Sequence, residues 1–309
     1  MNNTLKAQTL SPAELNTWIA KKEPFLLINV LPEDYCNKIH VPESKNACVF
    51  QVNFLDQVAA LTAEKNTKIV LYGSSAHTYD AVTAAEKLAR ASYQDVWILQ
   101  GGLEAWKAAG YSLQGTESNL LCNPQTKLQL VDHTYKIDTE KSVLIWYGRN
   151  ANSTHYGTVG LAKGELSVYT GDISGNFTVN MESIEDINLA GDQLQPVLEH
   201  HLKSDDFFFT ELFPTARFTI KEAKPLVEPY LTSPNYEIKG ILELRGIQAP
   251  LSFLATVSAT PENQLRVEAH FDLDRTKWGV IYGSARFFEH LGMHAVYDLL
   301  SFQMRLVAI

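Results

Sequence analysis

Ser74, Ser75 and His77 are the first side chains along the chain whose types and spacing suit chemistry. They fall in the stretch 73–78, between the apolar run Ile69-Val70-Leu71-Tyr72 and a helical pattern with Val82, Ala85, Leu88 and Ala89 on one face. Backbone N–H groups ahead of a helix N-terminus hold anions, so two hydroxyls and an imidazole there suit a small anion pocket. A Ser–His nucleophile pair is the other option, but nothing nearby supplies the third group that would orient the histidine. The three cysteines, Cys36, Cys48 and Cys122, are an odd number without CxxC spacing, which indicates neither a disulfide framework nor a zinc site. Cys36 follows Asp34-Tyr35 in a helical turn, and Cys48 lies in the apolar run Ala47-Cys48-Val49-Phe50 as a small core residue. His290 and His294 have the i, i+4 spacing of a metal pair on a helix, but no HExxH pattern accompanies them, and no metal is expected.

A second kind of chemistry is apolar. The stretch 201–218, HLKSDDFFFTELFPTARF, joins the end of a helical pattern to three consecutive phenylalanines and a fourth after a proline. That much aromatic surface needs a concave apolar partner. In an extended strand Phe207 and Phe209 share a face and Phe208 opposes them. The flanking sequence supplies the concavity. Leu265, Val267, Ala269, Phe271 and Leu273 alternate with Arg266, Glu268, His270, Asp272 and Asp274, which predicts a strand with one wet face. Tyr236 to Leu244 and Phe302 to Ala308 repeat the pattern, and Gly157, Gly164, Gly171 and Gly175 read as hairpin punctuation. Asp192 is placed to cap one helix from Gln193 to Leu202. Many short antiparallel strands with one helix predict a barrel with a lid.

The first part of the chain reads differently. Ser11, Pro12 and Glu14 form a capping signature. Short apolar runs at 25–28, 69–72 and 96–99 alternate with helical patterns, the last of which ends at Gly110. Such alternation predicts a mostly parallel sheet covered on both faces. The periodicity breaks over 114–130, which is taken as a linker between a first domain, 1–113, and a second, 131–309. With 309 residues and 45% hydrophobic content, two soluble domains are expected. A net charge of -9 disfavours nucleic acid and anionic membranes as partners. No apolar run approaches the roughly 20 residues of a membrane span, and the start lacks a secretory h-region, so a cytoplasmic protein is expected.

HVPESKNA at 40–47, IVLYG at 69–73 and WILQGGLEAWKAAGYSL at 97–113 resemble the rhodanese (sulfurtransferase) family. The resemblance implies an α/β fold and a catalytic cysteine at the end of the central strand, in a loop whose N–H groups face the active sulfur. Here that position is Gly73, and the family's arginine position late in the loop is Thr78. Glycine carries no nucleophile. The loop Gly73, Ser74, Ser75, Ala76, His77 and Thr78 therefore reads as degenerate, with no catalytic residue, and the domain as an inactive regulatory or interaction module. The anion pocket is the sharper alternative, and replacement of the missing sulfur by Cys36 or Cys48 is not favoured. An enzyme acting through the first domain, by sulfur transfer or hydrolysis, is the second functional reading.

YKIDTEKSVLIWYG at 135–148, THYGTVGLAKGEL at 154–166, FTVNMESI at 177–184, the aromatic stretch at 201–218, KGILELRGIQAPLSF at 239–253 and DRTKWGVIYGS at 274–284 resemble the YceI-like family of lipocalin-like, polyisoprenoid-binding proteins. Asn180 stands where aspartate is usual, which should alter a turn and not the fold. The resemblance implies an antiparallel β-barrel holding a polyisoprenoid, fatty acid or amide-like amphiphile, with no other cofactor and a homodimer allowed. Each methylene taken from water contributes about 0.8 kcal/mol, so a long chain has a large driving force. The expected lining residues are Trp146, Phe177, Phe207, Phe208, Phe218, Phe253, Phe271 and Trp278. His155, His201, Asp274 and Arg275 are polar candidates for a headgroup, with Asp274-Arg275 also readable as an ion pair and Arg275 over Trp278 as a cation–π contact. A barrel packed solid with side chains, binding nothing, is the remaining alternative.

Overall fold

The computed structural model describes residues 7–117, 130–227, 232–260 and 262–309. The rest, including Cys122 and most of the expected linker, lie outside the described residues. The chain divides into two compact units, Met1–Pro124 and Gln125–Ile309.

The first unit runs β1 (Gln8–Leu10), α1 (Pro12–Ala20), β2 (Leu26–Asn29), α2 (Glu33–Lys38), β3 (Lys45–Asn46), α3 (Phe54–Leu61), β4 (Ile69–Tyr72), α4 (Asp80–Arg90), β5 (Val96–Leu99) and α5 (Gly102–Ala108). Its five strands are parallel in the order β1-β5-β4-β2-β3, which puts β4 at the centre, buried along its whole length. α1 starts on the expected capping box: Ser11 Oγ accepts from Glu14 N, and the Glu14 carboxylate accepts from Ser11 N at 2.7 Å. The buried face of α4 differs from the expected one. Ala81, Ala84, Ala85 and Leu88 face inward and Val82 is exposed, because small alanines let the helix sit close to the sheet.

The second unit continues with β6 (His133–Lys136), β7 (Val143–Arg149), β8 (Thr154–Val159), β9 (Leu161–Tyr169), β10 (Asp172–Asn180), β11 (Glu185–Asp186), α6 (Gln195–Lys203), β12 (Thr215–Pro225), β13 (Tyr236–Leu244), β14 (Ile247–Ala259), β15 (Leu265–Asp274) and β16 (Leu299–Ala308). These strands form one antiparallel sheet in the order β11-β8-β7-β16-β15-β14-β13-β12-β10-β9-β6. The sheet curls into a lipocalin-like barrel wall. β6 pairs with β9 on one side, and the residues after it reach β16: Ile137 bridges Ala308, and Asp138 N donates to Val307 O at 2.8 Å. The alternation in β13, β15 and β16 points one face of each strand to the core, as its sequence predicts.

The glycines do a different job from the expected one. Only Gly171 sits in a turn, beside Thr170, with positive φ at both positions as a two-residue hairpin requires. Gly157, Gly164 and Gly175 lie inside strands. Gly164 faces Phe177 across β9 and β10, where a Cβ would come within 2.8 Å of the Phe177 Cβ. Gly240 does the same in β13, where a Cβ would lie 2.7 Å from a Phe218 ring carbon. These glycines make room for rings. Asn180 caps a single 3₁₀ turn, its Oδ1 accepting from Glu182 N at 3.2 Å, so the change at this position is confined to a turn.

Candidate functional site

In the first unit, β4 ends at Tyr72 and the loop 73–78 leads into α4, the sheet edge where parallel α/β folds place ligands. The Gly101-Gly102 pair turns through positive φ at both residues, so that Leu103 N and Glu104 N donate to Gly73 O and Ser74 O, each at 2.9 Å. The loop backbone is thus clamped by the start of α5. Its interior is filled by the chain itself. The buried Asp80 carboxyl accepts from Thr78 Oγ1 at 2.7 Å, Ser74 N at 3.1 Å and Ser74 Oγ at 3.4 Å. A Cβ at position 73 would fall on that carboxyl group.

Ser74 is therefore engaged by Asp80. Ser75 Oγ accepts from His77 N at 3.2 Å, and His77 is exposed. No hydrogen bond joins either serine hydroxyl to the His77 ring among the described residues, so the structure does not assemble a Ser–His pair. Ala76 is exposed beside them. Cys36 is no substitute sulfur. Burial, with help from the charge of Glu33, pushes its thiol up to about 11, so the thiolate is scarce at neutral pH. Cys48 is buried in the core. A Gly73→Cys chain should consequently show no thiosulfate:cyanide sulfurtransferase activity. It should also lose roughly 1–3 kcal/mol of stability, because the new side chain must displace Asp80. A cyanide-dependent thiocyanate assay and a thermal melt check the two halves; turnover above the parent, or an unchanged melting point, contradicts the Asp80 account.

In the second unit the curled sheet encloses a cavity of about 310 Å³. A belt of rings crosses it. Phe177 on β10, Phe218 on β12, Phe253 on β14, Phe271 on β15 and Phe302 on β16 follow one another at centroid distances of 5.5, 5.5, 4.6 and 5.6 Å. Trp146 on β7 pairs with Phe302 across the next strand. Inward-facing strand positions therefore make the belt, and the glycine gaps let its rings lie against the wall.

The triple phenylalanine is not a strand. Phe207 N and Phe209 N both donate to Ser204 O, so the segment turns directly after α6. Phe207 and Phe208 both line the cavity, and Phe209, at φ 47°, turns away to pack on Phe213. Phe207 and Phe208 can reach the same cavity because the backbone is a turn, and the opposition of an extended strand does not apply. Arg245 holds this segment in place by donating to Phe207 O at 2.8 Å and Asp205 O at 2.7 Å. No local pattern in the sequence marks that role, since the carbonyls lie some forty residues upstream. α6 begins two residues later than expected, with Asp192 Oδ1 accepting from Leu194 N, and turns Leu198, His201 and Leu202 to the cavity.

Of the residues expected from sequence, Trp146, His155, Phe177, His201, Phe207, Phe208, Phe218, Phe253 and Phe271 line the cavity together. Arg275 and Trp278 do not. Trp278 is buried with its Nε1 donating to Leu242 O at 2.8 Å. Arg275 is fully buried, donating to Val280 O, Val296 O and Tyr297 O, and its guanidinium lies 5.8 Å from the Phe207 ring centre and not over Trp278. Asp274 pairs with Arg286 at 2.9 Å, not with Arg275. His290 and His294 do not share a helix face: His294 ends a short 3₁₀ turn and His290, at φ 58°, lies before it. Sequence reasoning missed Gly148, Arg149, Asn150, Tyr282, His294 and Leu300 as lining residues. Most come from the β7–β8 hairpin and the irregular stretch 281–298, where no periodicity guides the eye.

A curled antiparallel sheet around an apolar cavity, with a helix and an aromatic turn against it, defines a lipocalin-like barrel. The chain belongs to the YceI-like domain family, whose model matches residues 135–308. A rhodanese-like domain model matches residues 11–109. Among solved structures, BcnA of Burkholderia cenocepacia is similar at 18% identity over 56% of this chain and 99% of its own, with a TM-score of 0.45. A polyisoprenoid binding domain from Saccharophagus degradans implicated in plant cell wall breakdown is similar at 12% identity over 56% of this chain and 97% of its own, with a TM-score of 0.40. The rhodanese-like domain of the Alr3790 protein from Anabaena sp. is similar at 23% identity over 42% of this chain and 94% of its own, with a TM-score of 0.33. No curated protein matches the chain. Among the described residues, no helix is long and apolar enough to cross a membrane.

Proposed function

We infer that the barrel carries one long apolar chain, an isoprenoid or fatty amphiphile, and that the rhodanese-like unit is a non-catalytic regulatory or interaction module. The observation that carries the first part is the cavity of about 310 Å³ walled by the ring belt. Its size falls within the roughly 300–1,000 Å³ of small-molecule pockets. An apolar wall offers such a chain little besides removal from water, which contributes about 0.8 kcal/mol per methylene and does not depend on the chain's fine structure. The second part is supported by Gly73, which has no nucleophile, and by Asp80, which occupies the space an active sulfur would need.

Native mass spectrometry of the gently extracted protein tests the reading, because a bound chain adds a definite mass. Phe208→Trp, which narrows the cavity beside α6, should weaken uptake of a fluorescent fatty or isoprenoid probe about tenfold, the equivalent of two methylenes pushed back into water. A protein that carries no added mass and takes up no probe has a barrel that binds nothing.

A further inference from the structure

Residues 285–294, ARFFEHLGMH, are exposed at every position but Leu291, which is half-buried. Phe287, Phe288 and Met293 are 53, 45 and 79% exposed. Large apolar side chains gathered at the surface in this way mark a contact with something outside the fold. The segment is not a frayed end. It is a loop closed at its base, where Val296 N donates to Gly283 O at 2.8 Å and Tyr297 N to Arg149 O at 2.9 Å. Arg286 pairs with Asp274 and Asp298, each at 2.9 Å. Within the loop, Phe287 N and Phe288 N donate to Ser284 O at 3.0 and 3.1 Å, and His294 N donates to Leu291 O at 2.9 Å.

The loop also belongs to the cavity. Met293 and His294 line it, and Met293 is at the same time exposed, so the cavity reaches the surface here. α6 behaves alike: Leu198, His201 and Leu202 line the cavity, while Leu194 and Val197 are 60 and 62% exposed. The His201 and Tyr282 rings, edge to face at 4.9 Å, join α6 to the base of the loop. Both elements that wall this end therefore carry apolar side chains on the outside as well.

That continuity says what covers the loop. A second copy or another protein seated there would close the opening. A bilayer would feed it. A long apolar chain is driven out of water by about 0.8 kcal/mol per methylene, so it resides in lipid. It can pass into the cavity without crossing water only where an apolar surface runs from outside to inside, as at Met293. Charge sets the kind of lipid. Arg286 is engaged by two carboxylates, Glu289 is 92% exposed, and the chain carries a net charge of -9, so anionic headgroups are repelled.

We propose that the loop 285–294 docks the barrel on a zwitterionic lipid surface through Phe287, Phe288 and Met293, and that the cavity takes its chain there. The loading step rests on the chain-carrying reading; the docking is measured without it.

The test is flotation of the full chain with phosphatidylcholine vesicles. The parent should float. Phe287→Ser/Phe288→Ser, at positions that do not line the cavity, should lower the partition coefficient about tenfold, because binding follows the apolar area inserted. Glu289→Trp alters an exposed site without touching packing; it should raise partition, and brominated lipid chains should quench the added tryptophan. A parent that does not float, a double-serine chain that floats equally well, or an added tryptophan that is not quenched overturns the proposal. Binding that grows with the share of phosphatidylglycerol overturns it in favour of a charge-driven contact. A dimer in light scattering that the double-serine change dissociates assigns the loop to a second copy and overturns it too. Transfer of a fluorescent fatty probe from the vesicles should slow about tenfold in the double-serine chain, with final uptake equal to the parent's. Docking without uptake sinks the carrier reading and the loading step with it; uptake without docking leaves the carrier reading standing and overturns the proposal.

Discussion

A Gly148→Phe chain should fold normally and take up no long-chain probe. Gly148 lies on β7 two residues from Trp146, so both project to the same face of the strand, and both line the cavity. A Cβ built at position 148 meets only Leu300 Cδ2 at 3.8 Å and Trp146 Cζ3 at 3.9 Å, which is ordinary contact. The backbone there needs no positive φ, so a side chain causes no strain. A phenyl ring at this position therefore enters open space in the cavity and not a packed core. Displacing the equivalent of five methylenes from the bore removes about 4 kcal/mol of driving force, close to a thousandfold in affinity. Titration with a fluorescent isoprenoid probe measures the loss, and a melting temperature within a few degrees of the parent shows that the barrel is intact. Retained uptake would mean that the chain lies elsewhere than in this cavity.

The contrast between Gly148 and the other strand glycines marks the limit of reading this fold from sequence. Gly157, Gly164 and Gly175 look like turn signals in a strand-rich sequence, while Gly240 reads as one more position in an alternating strand. Only the folded register shows that Gly164 and Gly240 yield space to Phe177 and Phe218 while Gly148 yields it to the cavity. The belt was legible in part: alternation gives Phe271 an inward position, and Phe177, Phe218 and Phe253 fall in the motifs that carry the family resemblance. The turn at Phe207–Phe209 was not, because three identical residues carry no periodicity and the bonds from Phe207 N and Phe209 N to Ser204 O that close it leave no mark in residue type. Arg245 was missed for a related reason. It acts through carbonyls distant in sequence, and a lone charged residue looks like any solvated one until its partners are known. In the first unit the alternation of strands and helices and the glycine at position 73 were both visible, while Asp80 as the occupant of the loop required the geometry of α4.

Arg275→Met should be the most destabilising single change in the barrel, and it should loosen the cavity's rim before the whole domain unfolds. Arg275 is fully buried in a 3₁₀ turn directly after β15. Its Nη1 donates to Val280 O at 2.7 Å, its Nε to Tyr297 O at 3.1 Å and its Nη2 to Val296 O at 3.1 Å, with Asp298 Oδ1 at 3.8 Å. Burial pulls the guanidinium's pKa down, and the charges of Asp298 and Asp274 pull it back. One side chain thus ties both ends of the irregular stretch 280–297 to the end of β15. That stretch has little regular structure to hold it, and Tyr282, Met293, His294 and Val296 within it line the cavity. Methionine fills part of the volume but donates nothing, so three carbonyls lose their donor and Asp298 loses a cation. Removing one member of a buried charge network costs about 3–5 kcal/mol. Lysine is a poor substitute, because a single ammonium cannot span three carbonyls that a planar guanidinium reaches at once. Denaturant unfolding should show the loss for Arg275→Met, with Arg275→Lys intermediate. Hydrogen exchange should show the amides of 280–297 opening at a lower free energy than those of β13 and β14. If the methionine chain is as stable as the parent and its 280–297 amides are equally protected, Arg275 is not the anchor of the rim, and the shape of that end of the cavity has another cause.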